Sequence, residues 1–384
     1  MTFTDNQMRF GLFMGPYHKP GLNPYLSLRR DIQTIVNLDE LGYDEVWIGE
    51  HHSGGVETIG SPELMIAAAA ERTKRIKLGT GVISLPYHNP FMVADRIVQL
   101  DYMTGGRTMF GIGPGQLVQD ATMIGLDPMT NRQRLQEAID VILRLFKGET
   151  VTMKTDWFDL KDAYLQMRPF SNFDIATVSV ISPSGPLLAG KYGMGLLSVA
   201  ATNPVGVEKL LEHWQVIEDE SAKHGHTPDR SKWRLMGPMH IAETLEQAKE
   251  DVKYGLSMLQ DYLAHINPAP EIDWFDLDNV IETLNETGAA VIGTPEMARK
   301  QIDRLIEKSG GFGTYLLMGI DWASYPATAR SHQLFAEEVI PYYNGTRAPL
   351  MKGFEDVMGT GYEGANITAA AQSKFAESYK KQKG

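Results

Sequence analysis

The sequence predicts a single (β/α)8 barrel of the TIM type, with insertions. Short apolar runs alternate with amphipathic helical stretches eight times before residue 340. Polar, titratable side chains collect just after several of those runs, where a parallel barrel carries its chemistry. A length of 384 residues accommodates one such barrel with excursions. A doubly wound sheet is the alternative, but it rarely needs eight regular units.

Residues 9–14 read as the first strand, and a Gly/Pro-rich loop follows. Leu28, Ile32, Ile35 and Val36 keep helical spacing as far as Leu41, and Gly42 ends that helix. Residues 45–49 are the second strand. Ser61-Pro62 opens a helix by the cap-then-proline rule. The third strand spans 76–84, and a helix from Pro90 is stopped by Gly105-Gly106. Residues 108–112 form the fourth strand, and 131–146 an amphipathic helix. Strands five to eight are read at 175–180, 195–199, 234–241 and 313–319, with helices at 205–224, from Leu245, from Pro295 and at 326–339. The barrel therefore occupies 1–343, with insertions near 149–170, a hairpin or other excursion, and 262–290, which shows no clear period. Residues 344–384 form a tail of low hydrophobicity.

Composition narrows the function. Lys and Arg number 36 against 48 Asp and Glu, so the net charge of −12 argues against nucleic acid or an anionic membrane as partner. The absence of cysteine excludes disulfides, thiolate nucleophiles and thiolate metal sites. The polar start and the lack of any run of transmembrane length lead to the expectation of a cytoplasmic protein with a small-molecule substrate.

Glu50-His51-His52, after the second strand, places two imidazoles and a carboxylate where ligands bind. Adjacent residues in extended chain point opposite ways, so His51 and His52 are poorly placed to share one metal ion, and no metal is expected. Glycines recur at the strand ends, in Gly79-Thr80-Gly81 and Gly113-Pro114-Gly115. Each suits a tight turn; together in neighbouring strands they also suit a planar cofactor against bare backbone. Ser182-Pro183-Ser184-Gly185-Pro186 leads into a helix start, which reads equally as a phosphate site or as capping by Ser184.

Several stretches, in this order and spacing, resemble the bacterial luciferase-like flavin-dependent monooxygenases. They are residues 42–47 leading into Glu50-His51-His52, 78–82 with 85–90, 100–107 with 110–113, and Gly293-Thr294-Pro295-Glu296. The resemblance covers residues 8 to about 340. It implies a barrel enzyme that receives reduced FMN from a separate flavin reductase and reacts it with O2 to a C4a-(hydro)peroxyflavin. It implies a small apolar organic substrate such as a terpene, ketone or heterocycle, and a homodimer. It puts the catalytic histidine at His51, ring contacts at Gly81, Val82, Gly113 and Gly115, and phosphate contacts at Ser182, Ser184 and Gly185. Where some relatives carry a phosphate-binding arginine after the fourth strand this chain has Pro114, so help from Arg168 or Lys191 is expected.

An F420-dependent hydride-transfer oxidoreductase on the same fold is the alternative. A site that excludes water is expected to use apolar groups near the strand ends, with Met14, Tyr17, Tyr87, Met109 and Met318 as candidates. Residues 262–290, with Trp274, Phe275 and Leu277 among acidic residues, are read as a mobile lid or else as a surface excursion with a short helix near 278–284.

Overall fold

Eight parallel strands close on themselves. The computed structural model describes residues 7–258, 262, 277–361 and 363–383. The barrel strands are β1 (Arg9–Tyr17), β2 (Glu45–Ile48), β3 (Lys77–Thr80), β4 (Thr108–Gly113), β5 (Ile175–Ser179), β6 (Gly195–Ser198), β7 (Trp233–Gly237) and β8 (Thr314–Ile320). Each pairs with its sequence neighbour, and β8 pairs back onto β1 with Phe10 opposite Tyr315. Helices between the strands cover the outside. Three of them start the same way, with Asn23, Asn89 or Asn203 capping through its side chain and proline in the first turn. The amide side chain satisfies an orphan N–H, and proline gives up a donor the helix does not use there.

The strand period of two sorts side chains between the barrel interior and the helices. Trp47, Met109, Ala176, Leu197, Met236 and Leu316 meet inside the barrel. Near the strand starts, Arg234 donates through Nε to Glu45 at 2.8 Å and through an Nη to Asp174 at 2.8 Å. Arg234 lies over the Trp47 ring at 4.9 Å, and the indole N–H donates to Glu45 at 3.1 Å. Burial alone would lower the Arg234 pKa, but the two carboxylates raise it instead. This closed, charged and aromatic floor supports what lies at the opposite ends of the strands.

Several boundaries differ from the expectation. The predicted seventh strand breaks at Pro238, and Met239–Ile241 leaves the barrel to pair with a separate short strand, Val291–Gly293. The third ends at Thr80, and Ile83–Ser84 resumes beside β4 after a cis Gly81–Val82 peptide bond. The 149–170 insertion contains an antiparallel hairpin, Val151–Lys154 with Asp159–Ala163.

Within 262–290, Leu277–Thr287 is a helix that buries Val280, Ile281 and Leu284 against Ile320 and Trp322. The short helix read near 278–284 is therefore present, but it is packed core rather than part of a surface excursion. Of the lid reading, residues 263–276, with Trp274 and Phe275, lie outside the described residues.

By its contacts the chain divides into Met1–Val339 and Ile340–Gly384. Among its described residues the second unit holds two α-helices, Arg347–Gly359 and Glu363–Lys383, where the sequence suggested only a tail. Among the described residues no helix is long and apolar enough to cross a membrane.

Candidate active site

The loops after β2, β3, β4 and β5 enclose a cavity of about 710 Å³ above the Trp47 layer. Phe13, Val82, Val178 and Val199 supply apolar wall, and Glu50, His51 and Glu57 supply titratable groups. A second basin of about 460 Å³ shares Pro114, Arg132, Val178 and Val180 with the first and is lined also by Ser182, Ser184, Gly185 and Lys191.

Glu50 is a buried anion held by three donors. Nε2 of His52 and Nε2 of His88 donate to one carboxylate oxygen at 2.9 and 2.6 Å, and the Ser84 N–H donates to the other at 2.7 Å. Burial pushes its pKa up, but these hydrogen bonds outweigh it and hold it at about 2. In return the Glu50 hydrogen bond raises the His52 pKa. His52 is thus committed to Glu50, while His51 turns the other way, as alternation in extended chain requires.

The His51 ring lies between two acids. Nε2 is 3.2 Å from Glu57 Oε2, and Nδ1 is 3.4 Å from Asp120 Oδ2; both are close contacts, and neither is aligned as a full hydrogen bond. Asp120, from the short helix Val118–Met123, also accepts from the Ser53 hydroxyl and from the His52 N–H. Burial is the largest influence on His51 and lowers its pKa. Burial, reinforced by Asp120, lifts Glu57 to about 8 even though Tyr262 faces it. At neutral pH both members of the His51–Glu57 pair are therefore mainly uncharged.

The glycines divide between packing and cavity. A Cβ on Gly79 would sit 2.7 Å from Trp47 Cε3, one on Gly81 2.7 Å from Trp47 Cβ, and one on Gly111 would run into the Thr80 carbonyl. Gly79 makes room for the buried indole and Gly111 for the Thr80 carbonyl, neither for a cofactor. Gly81 makes room for Trp47 and also lines the cavity, as does Val82. Gly115, at φ +80°, lines it too and makes room for the Tyr87 hydroxyl. Gly113 packs against Val82 and Val178 behind the wall. Gly185 lets its helix approach the Val178 carbonyl closely.

The sequence matches the luciferase-like monooxygenase family over residues 8–311. The chain belongs to that family. It is 52% identical over 378 residues to limonene 1,2-monooxygenase of Rhodococcus erythropolis, covering 97% of this chain and 96% of that protein. It is 44% identical to 4-hydroxyprotoasukamycin monooxygenase of Streptomyces nodosus subsp. asukaensis, covering 88% and 93%. Among solved structures it resembles the oxygenating constituent of 3,6-diketocamphane monooxygenase of Pseudomonas putida, a type II Baeyer–Villiger monooxygenase in complex with FMN. There the TM-score is 0.70 and the identity 26%, covering 87% of this chain and 98% of that one.

As a luciferase-like monooxygenase the chain belongs to a flavin-dependent class of enzyme, and its cavity presents apolar walls with polar atoms at the edge. Among the described residues, the Tyr87 hydroxyl and Asn131 Oδ1 are buried polar atoms without a hydrogen-bond partner, and His51 Nδ1 has only the misaligned contact with Asp120. Two of their residues, His51 and Asn131, line the cavity, and the third hydroxyl stands where a Gly115 Cβ would be. Unpaired buried polar atoms are costly, and a ligand's polar edge would satisfy these.

The other predicted residues scatter. Ser182 and Ser184 lie in the second basin with their hydroxyls 2.8 Å apart. Ser184 does not cap the helix Ser184–Tyr192: Pro183 holds that position, with no side-chain cap. Lys191 lines the same basin, whereas Arg168 donates to the Lys147 carbonyl and belongs to another face. Of the apolar candidates, Tyr17 lines the cavity and Met109 lies in the barrel layer beneath it. Met14 lines a separate small pocket beside His18, and Met318 packs against the Ile320–Trp322 cluster.

Sequence reading missed Glu57, Asp120, Asn131 and Arg132. All four sit in loops or at a helix start after a strand, the one signal that could have singled them out, and many other polar residues share it.

Proposed function

We propose that this chain is a two-component monooxygenase that takes reduced FMN from a separate reductase and inserts one atom of O2 into a small apolar substrate of terpene size. What carries the reading is the pair of adjoining basins. One is mainly apolar with titratable groups at its edge; the other is lined by hydroxyls and cations and starts a helix. A ring system with a phosphate-bearing tail has that shape and polarity.

Bound there, reduced FMN would supply the two electrons that activate O2. The chain's own residues do the rest. The hydroxyls of Ser182 and Ser184, the N–H groups at the start of the Ser184–Tyr192 helix, and the side chains of Arg132 and Lys191 would hold the phosphate. Arg132, which lines both basins, supports this reading where Pro114 stands in place of the relatives' arginine. Gly81, Val82 and Gly115 would meet the ring, with Val178 and Val199 keeping water from it. His51 would move a proton at the reacting end. The apolar wall and the likeness to limonene 1,2-monooxygenase support a terpene-like substrate.

Binding of FMN and riboflavin, followed by flavin fluorescence, tests the assignment. Wild type should prefer FMN, and Ser182→Ala/Ser184→Ala should lose about 1–3 kcal/mol of that preference. Arg132→Ala should lose a comparable share. Equal binding of the two flavins by wild type refutes the phosphate site, and preference for F420 over FMN would turn the reading to hydride transfer.

A further inference from the structure

Glu57 is a buried carboxyl for which the proposed flavin chemistry has so far assigned no part. It projects from the loop between β2 and the helix Pro62–Ala70 and lines the same cavity as His51. Its Oε2 lies 3.2 Å from His51 Nε2, and its Oε1 faces the Tyr262 hydroxyl at 3.5 Å. Tyr17, whose ring packs against Tyr262, and Asp120 are the other titratable groups that act on it. No cation pairs with Glu57 among the described residues unless His51 becomes protonated.

The nearest acceptors on each side of the ring indicate where the protons lie. Asp120 Oδ1 accepts from the Ser53 hydroxyl and the His52 N–H, which leaves Oδ2 as the oxygen facing His51 Nδ1. An acceptor there favours the tautomer with its proton on Nδ1. Nε2 then presents a lone pair to Glu57, and that contact is attractive only if Glu57 carries a proton.

We propose that Glu57 is the positioning acid of this site: protonated, it donates to Nε2 of His51, fixes the imidazole as the Nδ1–H tautomer, and is the store from which His51 is reprotonated. In that step the Glu57 O–H bond breaks as the Nε2–H bond forms. A neutral pair becomes carboxylate and imidazolium, with charge conserved and no further reactant. Tyr262 is placed to donate to the carboxylate that results. Burial keeps Glu57 up near 8 and His51 low, so the neutral pair is the resting state at neutral pH. The inference rests on the assignment of His51 as the proton-handling group.

The test is a histidine 15N NMR titration of the full chain without flavin. The ten histidines are labelled, and the His51 signals are identified by their loss in His51→Gln. In wild type, neutral His51 should show its proton on Nδ1, and its shifts should show an inflection near pH 8 as Glu57 ionises. Glu57→Gln should abolish that inflection, and Glu57→Asp, which keeps an ionisable group, should retain one. A His51 titration identical in wild type and Glu57→Gln overturns the proposal, and so does a wild-type proton on Nε2. The tautomer measurement decides even if Glu57→Gln does not fold. Because no cofactor is present, these results stand apart from the flavin reading, which falls instead if His51→Ala still couples oxygen to product.

Discussion

Replacing Glu50 by glutamine measures how much the His52–Glu50–His88 clamp holds the site together. The carboxylate accepts three hydrogen bonds, at 2.9, 2.6 and 2.7 Å. Against the pull of burial, they bring its pKa from an ordinary 4.5 down to about 2. A fall of about 2.5, at about 1.36 kcal/mol for each pKa unit, corresponds to about 3 kcal/mol of stability at neutral pH. Glutamine keeps the volume and one acceptor, but its NH2 group must face either the Ser84 N–H or the histidines, donor against donor.

Glu50→Gln should therefore lose about 3 kcal/mol. With a urea m-value of about 3 kcal/mol/M or more, the midpoint falls by up to about 1 M. The pH dependence has a definite sign. The folded pKa lies below the unfolded one, so the Glu50 contribution is complete above about pH 4.5 and is lost as pH falls through about 2. His52 acts in the opposite sense: its raised pKa contributes below its ordinary 6.5 and is lost as pH rises through the folded value. Urea unfolding followed by tryptophan fluorescence, compared at pH 7 and at about pH 3, reads the Glu50 arm. A loss under about 1 kcal/mol at pH 7, or a difference between wild type and variant undiminished at about pH 3, refutes the reasoning.

Two further outcomes follow from the same geometry. His51→Ala should keep FMN binding but lower product formation by about 10²–10⁴-fold, with H2O2 released instead; oxygen-consumption and peroxide assays read this, and wild-type coupling would remove His51 from the chemistry. Arg234→Met leaves Glu45 and Asp174 facing each other without their cation and should cost about 3–5 kcal/mol in urea unfolding, whereas Arg234→Met combined with Glu45→Gln and Asp174→Asn should recover part of the loss; a single variant as stable as wild type would show that the barrel floor does not depend on the pair.

The barrel was legible in the sequence because its signals are local. Apolar runs of strand length and helical stripes recur within windows of a few residues, and the Ser-Pro and Gly boundaries announce themselves in two. The same locality placed His51 at a strand end and turned His52 away from it. The glycines could not be apportioned that way. Gly79 is small because the indole of Trp47, from a different strand, occupies the barrel interior beside it, and Gly111 because the Thr80 carbonyl of the neighbouring strand does. Val280, Ile281 and Leu284 have helical spacing, but their stripe is a single short patch that only its partner wall, Ile320 and Trp322, makes recognisable.

The acids around His51 belong to the tertiary structure alone. Glu57 and Asp120 are 6 and 69 residues away in the chain, on different loops, and nothing in either neighbourhood marks it. Closing the sheet into a barrel brings those loop ends to one rim, and burial there gives a carboxyl and an imidazole pKa values that no isolated segment would have. Hydrophobic period is a property of one stretch of chain; a proton shared between residues is a property of the space the strands enclose.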